Sequence, residues 1–393
     1  MPSSQFPLRL VDPGFASPLT KTIFQLQELR RLRLLTEIHP RIAAEVQAAF
    51  HILETVGSVR IEGNQTTLSE AVEIAIGIDE KNSKTTSERQ REVRNIYNAL
   101  EMIDETIKPK EKISEKFIRE LHAVVVDGLP VGPNLGGDET PGSYRTKNVI
   151  IQNSKHKPPD FPFVPQMMTD LVKFINEEPE KMPQADLLVT ALVHHRFTWI
   201  HPFHNGNGRV VRLLTYAMLL QQGYRVSVII NPTAIFCEDR MAYYDALAKA
   251  DKGTDEGLLY WSSYVLDNLL IQMKKINVLM EKKFFIEKII DPALASAVQY
   301  GDIGSDDAIA LRVAFEEGAI RASKFKEKLP AKKAYEISRL IKKLKNKKML
   351  IPIKDGARLY QPQLSSNPLL RGVIGALERE GLVKNPDKGL KES

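Results

Sequence analysis

The residues best equipped for chemistry lie in one short run, His201-Pro202-Phe203-His204-Asn205-Gly206-Asn207-Gly208-Arg209, closed by Arg212. The run joins an imidazole, a glycine-rich turn and two arginines three positions apart. Gly206-Asn207-Gly208 stands where the chain turns into an apolar stretch. A helix starting there aims unpaired N–H groups and the positive end of its dipole at whatever lies in front, which suits an anion. Glycine lets that anion come close to the backbone. Arg209 and Arg212, at i and i+3, are expected to send both guanidinium forks to one side of the first turn, where they fit phosphate oxygens. His201 sits just ahead, a group able to take a proton from an alcohol near neutral pH. Together these residues suit a site that holds a polyphosphate and activates a hydroxyl beside it.

Two helices must bracket such a loop. Apolar periodicity predicts one from about Gln184 to Trp199, broken by Pro202, and a second from about Gly206 to Gln222, with Gly223 at its C-terminal turn. Val210, Val211, Leu213, Leu214, Ala217, Met218, Leu219 and Leu220 make the second apolar nearly all round, so it should be central and buried. Upstream, helices are predicted over Arg41–Ile61, stopped by Gly63-Asn64, then from a capping box at Thr67–Glu70, over Ser87–Ile107 and over Ser114–Val126. Residues 128–165 are dense in Gly and Pro, and Tyr144–Ile151 within them reads as a short strand or hairpin. A further helix runs from Leu258 to Met280. From Asp306 three helical patterns precede Ile351–Tyr360, a hairpin turning at Asp355-Gly356. The expected division is 1–110, an N-terminal arm with helices; 111–280, a helical core; 281–305, a helical linker; and 306–393, a small separate domain.

The chain has 393 residues and a formal net charge of +6, and its basic residues crowd between Arg321 and Lys348. The single cysteine, Cys237, excludes an internal disulfide and fits a reducing cytoplasm; among Ile235 and Phe236 it reads as an inert buried thiol. The first residues lack an apolar run behind a basic start, and no stretch has the length of a bilayer span, so neither a signal peptide nor membrane association is expected. His194, His195, His201 and His204 do not read as a metal site. Adjacent histidines point to different helix faces, and no acid or cysteine is spaced to complete a tetrahedral set.

The run from His201 to Arg212 resembles the Fic-family motif H-P-F-x-(D/E)-G-N-G-R-x-x-R, matching every fixed position except Asn205. The resemblance spans roughly Ile23 to Met280. It implies a mainly α fold, a Fic-type helical core with a short β-hairpin flap, and transfer of AMP from ATP to a Ser, Thr or Tyr hydroxyl of a protein. It implies that His201 takes the hydroxyl proton, that Gly206, Asn207, Gly208 and Arg209 bind the α- and β-phosphates, and that Arg212 meets the γ-phosphate. The family's acid at position 205 holds Mg²⁺. Asn205 lacks the charge that magnesium prefers, so a weakened Mg²⁺ site and slow transfer are expected. Ser58-Val59-Arg60-Ile61-Glu62-Gly63 resembles the family's inhibitory motif, (S/T)-x-x-x-E-(G/N), which implies that Glu62 pairs with Arg212 and displaces the γ-phosphate. Tyr144, Arg145, Val149 and Ile150 fall in the flap, which holds a target by strand addition. Tyr243 and Tyr244 fall where the family lines its nucleobase pocket.

Tyr335–Leu344 and the hairpin Ile351–Tyr360 resemble the recognition helix and wing of a winged-helix domain, with Lys342, Lys343, Lys345, Lys347 and Lys348 placed to neutralise phosphates. The leading expectation is therefore a self-inhibited protein adenylyltransferase. The alternative is a nucleotide-sensing or inactive Fic-like core on a DNA-binding regulator. A third reading is a core that uses another phosphate-bearing donor or removes AMP. Expected partners are ATP or another nucleotide, a protein target, possible DNA and a possible second copy of the chain.

Overall fold

The computed structural model describes residues 8–31, 38–76, 87–132, 135–151, 154–182, 185–224, 232–237, 239–364 and 367–383. Helix α1 (Pro18–Arg31) precedes α2 (Pro40–Ile61), whose Ile42, Val46, Ala49, Ile52 and Val56 recur at helical spacing and are buried. Glu62 caps α2 and Gly63, at φ 93°, turns the chain away. Next, α3 (Leu68–Ile76) opens on the expected box: the Glu70 carboxylate accepts the Thr67 N–H at 2.7 Å, and the Thr67 hydroxyl accepts the Glu70 N–H at 3.2 Å. Ser87 and Gln90 start α4 (Glu88–Thr106) in the same way, and Ser114 caps α5 (Glu115–Val126).

Three helices then build the centre: α6 (Val164–Lys181), α7 (Asp186–Ile200) and α8 (Asn207–Gln221). Both α7 and α8 are buried on all sides. Helix α7 lies against α6 and α8, while α8 also meets α5, α4 and α2. Short α9 (Pro232–Cys237), α10 (Arg240–Ala250) and α11 (Asp255–Leu279) close the far side, α11 packing on α7 and α1. Each fully buried leucine or valine of α8 contributes about 1.5–3 kcal/mol, so the loop entering it is anchored to a well-packed helix.

One expectation fails here. Tyr144–Ile151 forms no strand, and its described backbone is irregular. Among the described residues no strand pairs with it. The Arg145 N–H goes to the Pro202 carbonyl at 2.9 Å, and the Asn148 side chain turns the segment onto Asp160 and the Phe161 N–H at 2.7 and 2.9 Å. Pro158, Pro159 and Pro162 offer no N–H to a ladder.

Beyond α11, α12 (Lys282–Phe284) runs through a π-helical stretch, Phe285–Ile290, into α13 (Asp291–Gln299). There follow α14 (Ser305–Glu317), β1 (Ile320–Arg321), α15 (Ala322–Lys328), α16 (Ala334–Asn346), β2 (Leu350–Pro352), β3 (Leu359–Pro362) and α17 (Leu369–Arg379). The strands form an antiparallel sheet in the order β1-β3-β2, with Ile320 opposite Tyr360 and Ile351 opposite Gln361. Gly356, at φ 72°, makes the expected turn. This module is tied to the rest: α17 packs on α13 and α3, and Glu45 of α2 accepts the Leu364 N–H at 2.8 Å.

Candidate active site

The loop between α7 and α8 is held from beneath by an aromatic plug. Phe203 is fully buried and stacks on the His122 ring of α5 at 3.8 Å with parallel planes; Phe197 and Tyr144 close its other sides. Asn207 brackets the same residue, its amide accepting the Phe203 N–H and donating to the Phe203 carbonyl, both at 2.9 Å. His122 accepts the Gly142 N–H through Nδ1 at 2.9 Å and so presents an Nε2–H, which lies 3.2 Å from the Asn205 carbonyl. Burial, only partly offset by Asp138, pushes this imidazole down to about 4, so it stays neutral. Gly206 sits at φ 74°, and a β-carbon there would press on Val126.

His201 follows the last residue of α7 in the left-handed region, φ 52° and ψ 62°. Burial, with help from the Arg145 guanidinium, lowers its pKa to about 4, while the Thr198 carbonyl and Glu62 pull the other way. The imidazole is therefore unprotonated at neutral pH, the state a base requires.

The two arginines part company rather than sharing one side. Arg212, 1% exposed, sends Nε to the Ser58 hydroxyl at 3.0 Å and Nη2 to the Ser58 carbonyl at 2.9 Å and Glu62 Oε1 at 2.8 Å. Arg209 turns to α4, meeting Glu92 at 2.8 Å, and to the Gly136 carbonyl at 2.7 Å. Glu62 lies directly over the first turn of α8, where a β-carbon at Gly208 would collide with its Oε1. Burial opposes its charge, but Arg212 and Arg209 outweigh that and hold the carboxyl below its ordinary value. Its side chain remains 38% exposed, so solvent weakens this attraction. A carboxylate thus rests on the Arg212 guanidinium and over the first turn of α8.

Other expected residues fall as follows. Asn205 does not present a free oxygen: its Oδ1 accepts the Gly206 N–H at 2.7 Å, and its Nδ2 donates to the carbonyls of Leu135 and, at 3.2 Å, Gly137. The nearby Asp138 carboxylate is buried and engaged by Thr140 and the Asn205 N–H. Asn205 thus offers no anionic oxygen to Mg²⁺, and among the described residues no group of three or more His, Cys, Asp or Glu side chains is placed to hold a metal ion. Asn207 faces inward, which leaves its backbone rather than its side chain for an anion. Tyr243 is buried with Phe236 and Trp261, its hydroxyl 3.0 Å from His194, whereas Tyr244 is 41% exposed beneath Arg240. His194 and His195 are core residues held by Thr215, Tyr243 and Asp251. Cys237 packs against Gly57 on α2. In the flap, Ile150 is 92% exposed and Val149 half-buried, but Arg145 is buried behind His201 and cannot touch a target. His122, Asp138 and Glu92 were missed, because nothing in the local pattern marks a residue that meets the loop from far along the chain.

Residues 112–219 match the model of the Fic/DOC family. The protein adenylyltransferase Fic of Drosophila ananassae is 30% identical over 227 residues, 56% of this chain and 41% of that protein. Its counterpart in Drosophila grimshawi is 29% identical over 249 residues, 60% and 47%. The chain thus spans less than half the length of these relatives. Among solved structures, a Fic family protein from Desulfovibrio desulfuricans G20 superposes with a TM-score of 0.55 at 18% identity over 90% of this chain and 98% of that one. Fic-1 from C. elegans gives 0.54 at 22% identity over 67% and 72%. At these identities the likeness is one of fold.

Proposed function

This chain is a Fic family protein, and on that premise we propose that it is a self-inhibited protein nucleotidyltransferase that moves AMP from ATP to a Ser, Thr or Tyr hydroxyl of a protein. The observation that carries this reading is the Glu62 carboxylate on Arg212 and above Gly208, beside a neutral His201. With Glu62 withdrawn, the first turn of α8 and the Arg212 Nη2 that Glu62 held are open to a triphosphate, while Arg209 must also leave Glu92 and the Gly136 carbonyl to reach it. The acceptor oxygen then attacks the α-phosphorus. A new O–P bond forms, the bond from the α-phosphorus to the bridging oxygen breaks, pyrophosphate departs and the hydroxyl proton passes to His201. Magnesium would arrive with the triphosphate and offset part of its charge. Val149 and Ile150 offer an apolar edge for the target, and Tyr243 and Tyr244 lie on the helix beside the nucleobase end. The division at 110, 280 and 305, the cytoplasmic setting and the homodimer belong to this proposal as well; among the described residues no helix is long and apolar enough to cross a membrane.

The test is label transfer from α-labelled ATP. The Glu62→Gly form should self-label strongly, the native form weakly, and the Glu62→Gly/His201→Ala form not at all. Equal labelling of all three overturns the reading.

A second role is favoured by charge. Residues 321–358 contain 14 Lys and Arg against 3 Asp and Glu, so the remainder of the chain is net acidic. The outer face of α16 shows Tyr335, Ser338, Arg339 and Lys342, while Ile337, Leu340, Ile341 and Leu344 face inward. Arg339, Lys342, Lys354 and Arg358 make no ion pair among the described residues, unlike Lys343 with Asp307 and Lys332 with Asp306. The order α14-β1-α15-α16-β2-β3 supports a winged helix that lays α16 in a major groove. Fluorescence anisotropy with a DNA duplex should give binding that weakens steeply with salt, and Arg339→Ala/Lys342→Ala should flatten that slope by about 2. Salt-independent binding, or none at low salt, would remove this role.

A further inference from the structure

Arg145 is 2% exposed and makes no surface of its own. Its backbone N–H donates to the Pro202 carbonyl at 2.9 Å, its Nε to the His201 carbonyl at 2.8 Å and its Nη2 to the Ile200 carbonyl at 3.4 Å. The remaining donors reach the Lys147 carbonyl at 3.1 Å and the Pro159 carbonyl at 2.5 Å. One residue therefore gathers three consecutive carbonyls centred on His201 and ties them to both arms of the segment between 146 and 160.

His201 needs such a clamp. A residue with a β-carbon in the left-handed region is strained by roughly 1–3 kcal/mol and stays there only when its surroundings insist. The peptide also lies at the C-terminus of α7, where the last carbonyls lack helical partners and carry the negative end of the dipole. A guanidinium answers both needs with donors in a fixed plane. A lysine ammonium has the charge but not the reach to carbonyls on opposite sides.

We propose that Arg145 is a positioning residue for transfer: it fixes the His201 peptide in its left-handed conformation, so that the imidazole is held at the edge of the phosphate cradle. This rests on the reading of His201 as the base. The same guanidinium also disfavours protonation of that imidazole.

The experiment compares Arg145→Lys and Arg145→Ala in the Glu62→Gly form, using α-labelled ATP. Transfer at saturating ATP should fall by about tenfold or more in both, about 1.4 kcal/mol in barrier, while KM for ATP stays within about twofold of the parent. Free guanidinium ion at tens of millimolar should restore part of the Arg145→Ala rate, and ammonium ion should not. Full turnover in Arg145→Lys, or a loss confined to KM, overturns the proposal. Histidine side-chain NMR gives a readout independent of transfer, and Arg145→Lys serves it should Arg145→Ala not fold. The His201 ring signals should shift and broaden in Arg145→Lys; unchanged His201 signals overturn the proposal even if the parent transfers nothing. A silent parent with shifted ring signals would sink the base assignment and leave the clamp standing.

Discussion

At the scale of single residues, two side chains shape the start of α8. Glu62 sets a carboxylate on Arg212, and Asn205 uses its amide to strap the loop to Leu135, Gly137 and Gly206. Asn205→Asp removes the donors to Leu135 and Gly137 and sets a carboxylate against two carbonyls, a loss of order 1–3 kcal/mol. The same change supplies the anionic oxygen that magnesium prefers. In the Glu62→Gly background the melting temperature should therefore fall, and half-maximal transfer should need less Mg²⁺. An unchanged Mg²⁺ titration would separate position 205 from the metal altogether. His201 leads to a pH expectation. Its folded pKa is lowered to about 4, with Glu62 working to raise it, so removing Glu62 lowers it further. The transfer rate of the Glu62→Gly form should stay level from pH 7.5 down to about 5.5; a fall centred near the ordinary histidine value, about 6.5, would show that the base is solvated.

At the scale of elements, α2 is more than a carrier for Glu62. Gln47, His51, Glu54, Ser58 and Glu62 recur at spacings of three and four, so they share one stripe. Gln47 Nε2 donates to the Tyr216 hydroxyl of α8 at 2.9 Å, and that hydroxyl donates to Asp104 of α4 at 2.7 Å with His51 3.3 Å away. Further along the stripe, Ser58 and Glu62 meet Arg212. Buried polar contacts of this kind specify one arrangement of α2 on α8 and α4, because each partner left unpaired there would be costly. Glu54, 2% exposed, is the costly member. Burial and then Asp104 hold its carboxyl well above the ordinary value, with the Thr233 amide offsetting part. The folded carboxyl holds its proton to higher pH than the unfolded one, so burying it penalises folding once the pH exceeds the unfolded value. The penalty vanishes below the unfolded value of about 4.5, where both states are protonated. Glu54→Gln should raise the melting temperature at pH 7, with the gain closing by pH 4; a gain independent of pH would point to packing instead.

At the scale of the whole molecule, what was legible followed from local signals. The helix α8, the capping box at Thr67, the helix start at Ser87 and the turn at Gly356 could be read because each is encoded within a few residues. The Glu62–Arg212 pair spans 150 residues and was legible only through resemblance to a family motif. Partners of the loop at long range were not. Glu92 meets Arg209 across 117 residues, and His122 meets Asn205 across 83, and neither has a mark in its own neighbourhood. The flap failed as a strand because its pattern of Val149, Ile150 and Ile151 carries β-propensity without a partner strand, and propensity yields to where the hydrogen bonds can go. The divergence of the two arginines was hidden for a related reason. Spacing places side chains at the root, but neighbours on α2 and α4 decide where long ones end.

The most direct measurement of the central claim is calorimetric titration of ATP, with adenosine as the control, into the native and Glu62→Gly proteins. If the carboxylate occupies the place of a terminal phosphate, ATP should bind the Glu62→Gly form at least about tenfold more tightly than the native form, about 1.4 kcal/mol, while adenosine binds both alike. Equal ATP affinity in the two forms, or an equal gain for adenosine, would contradict it.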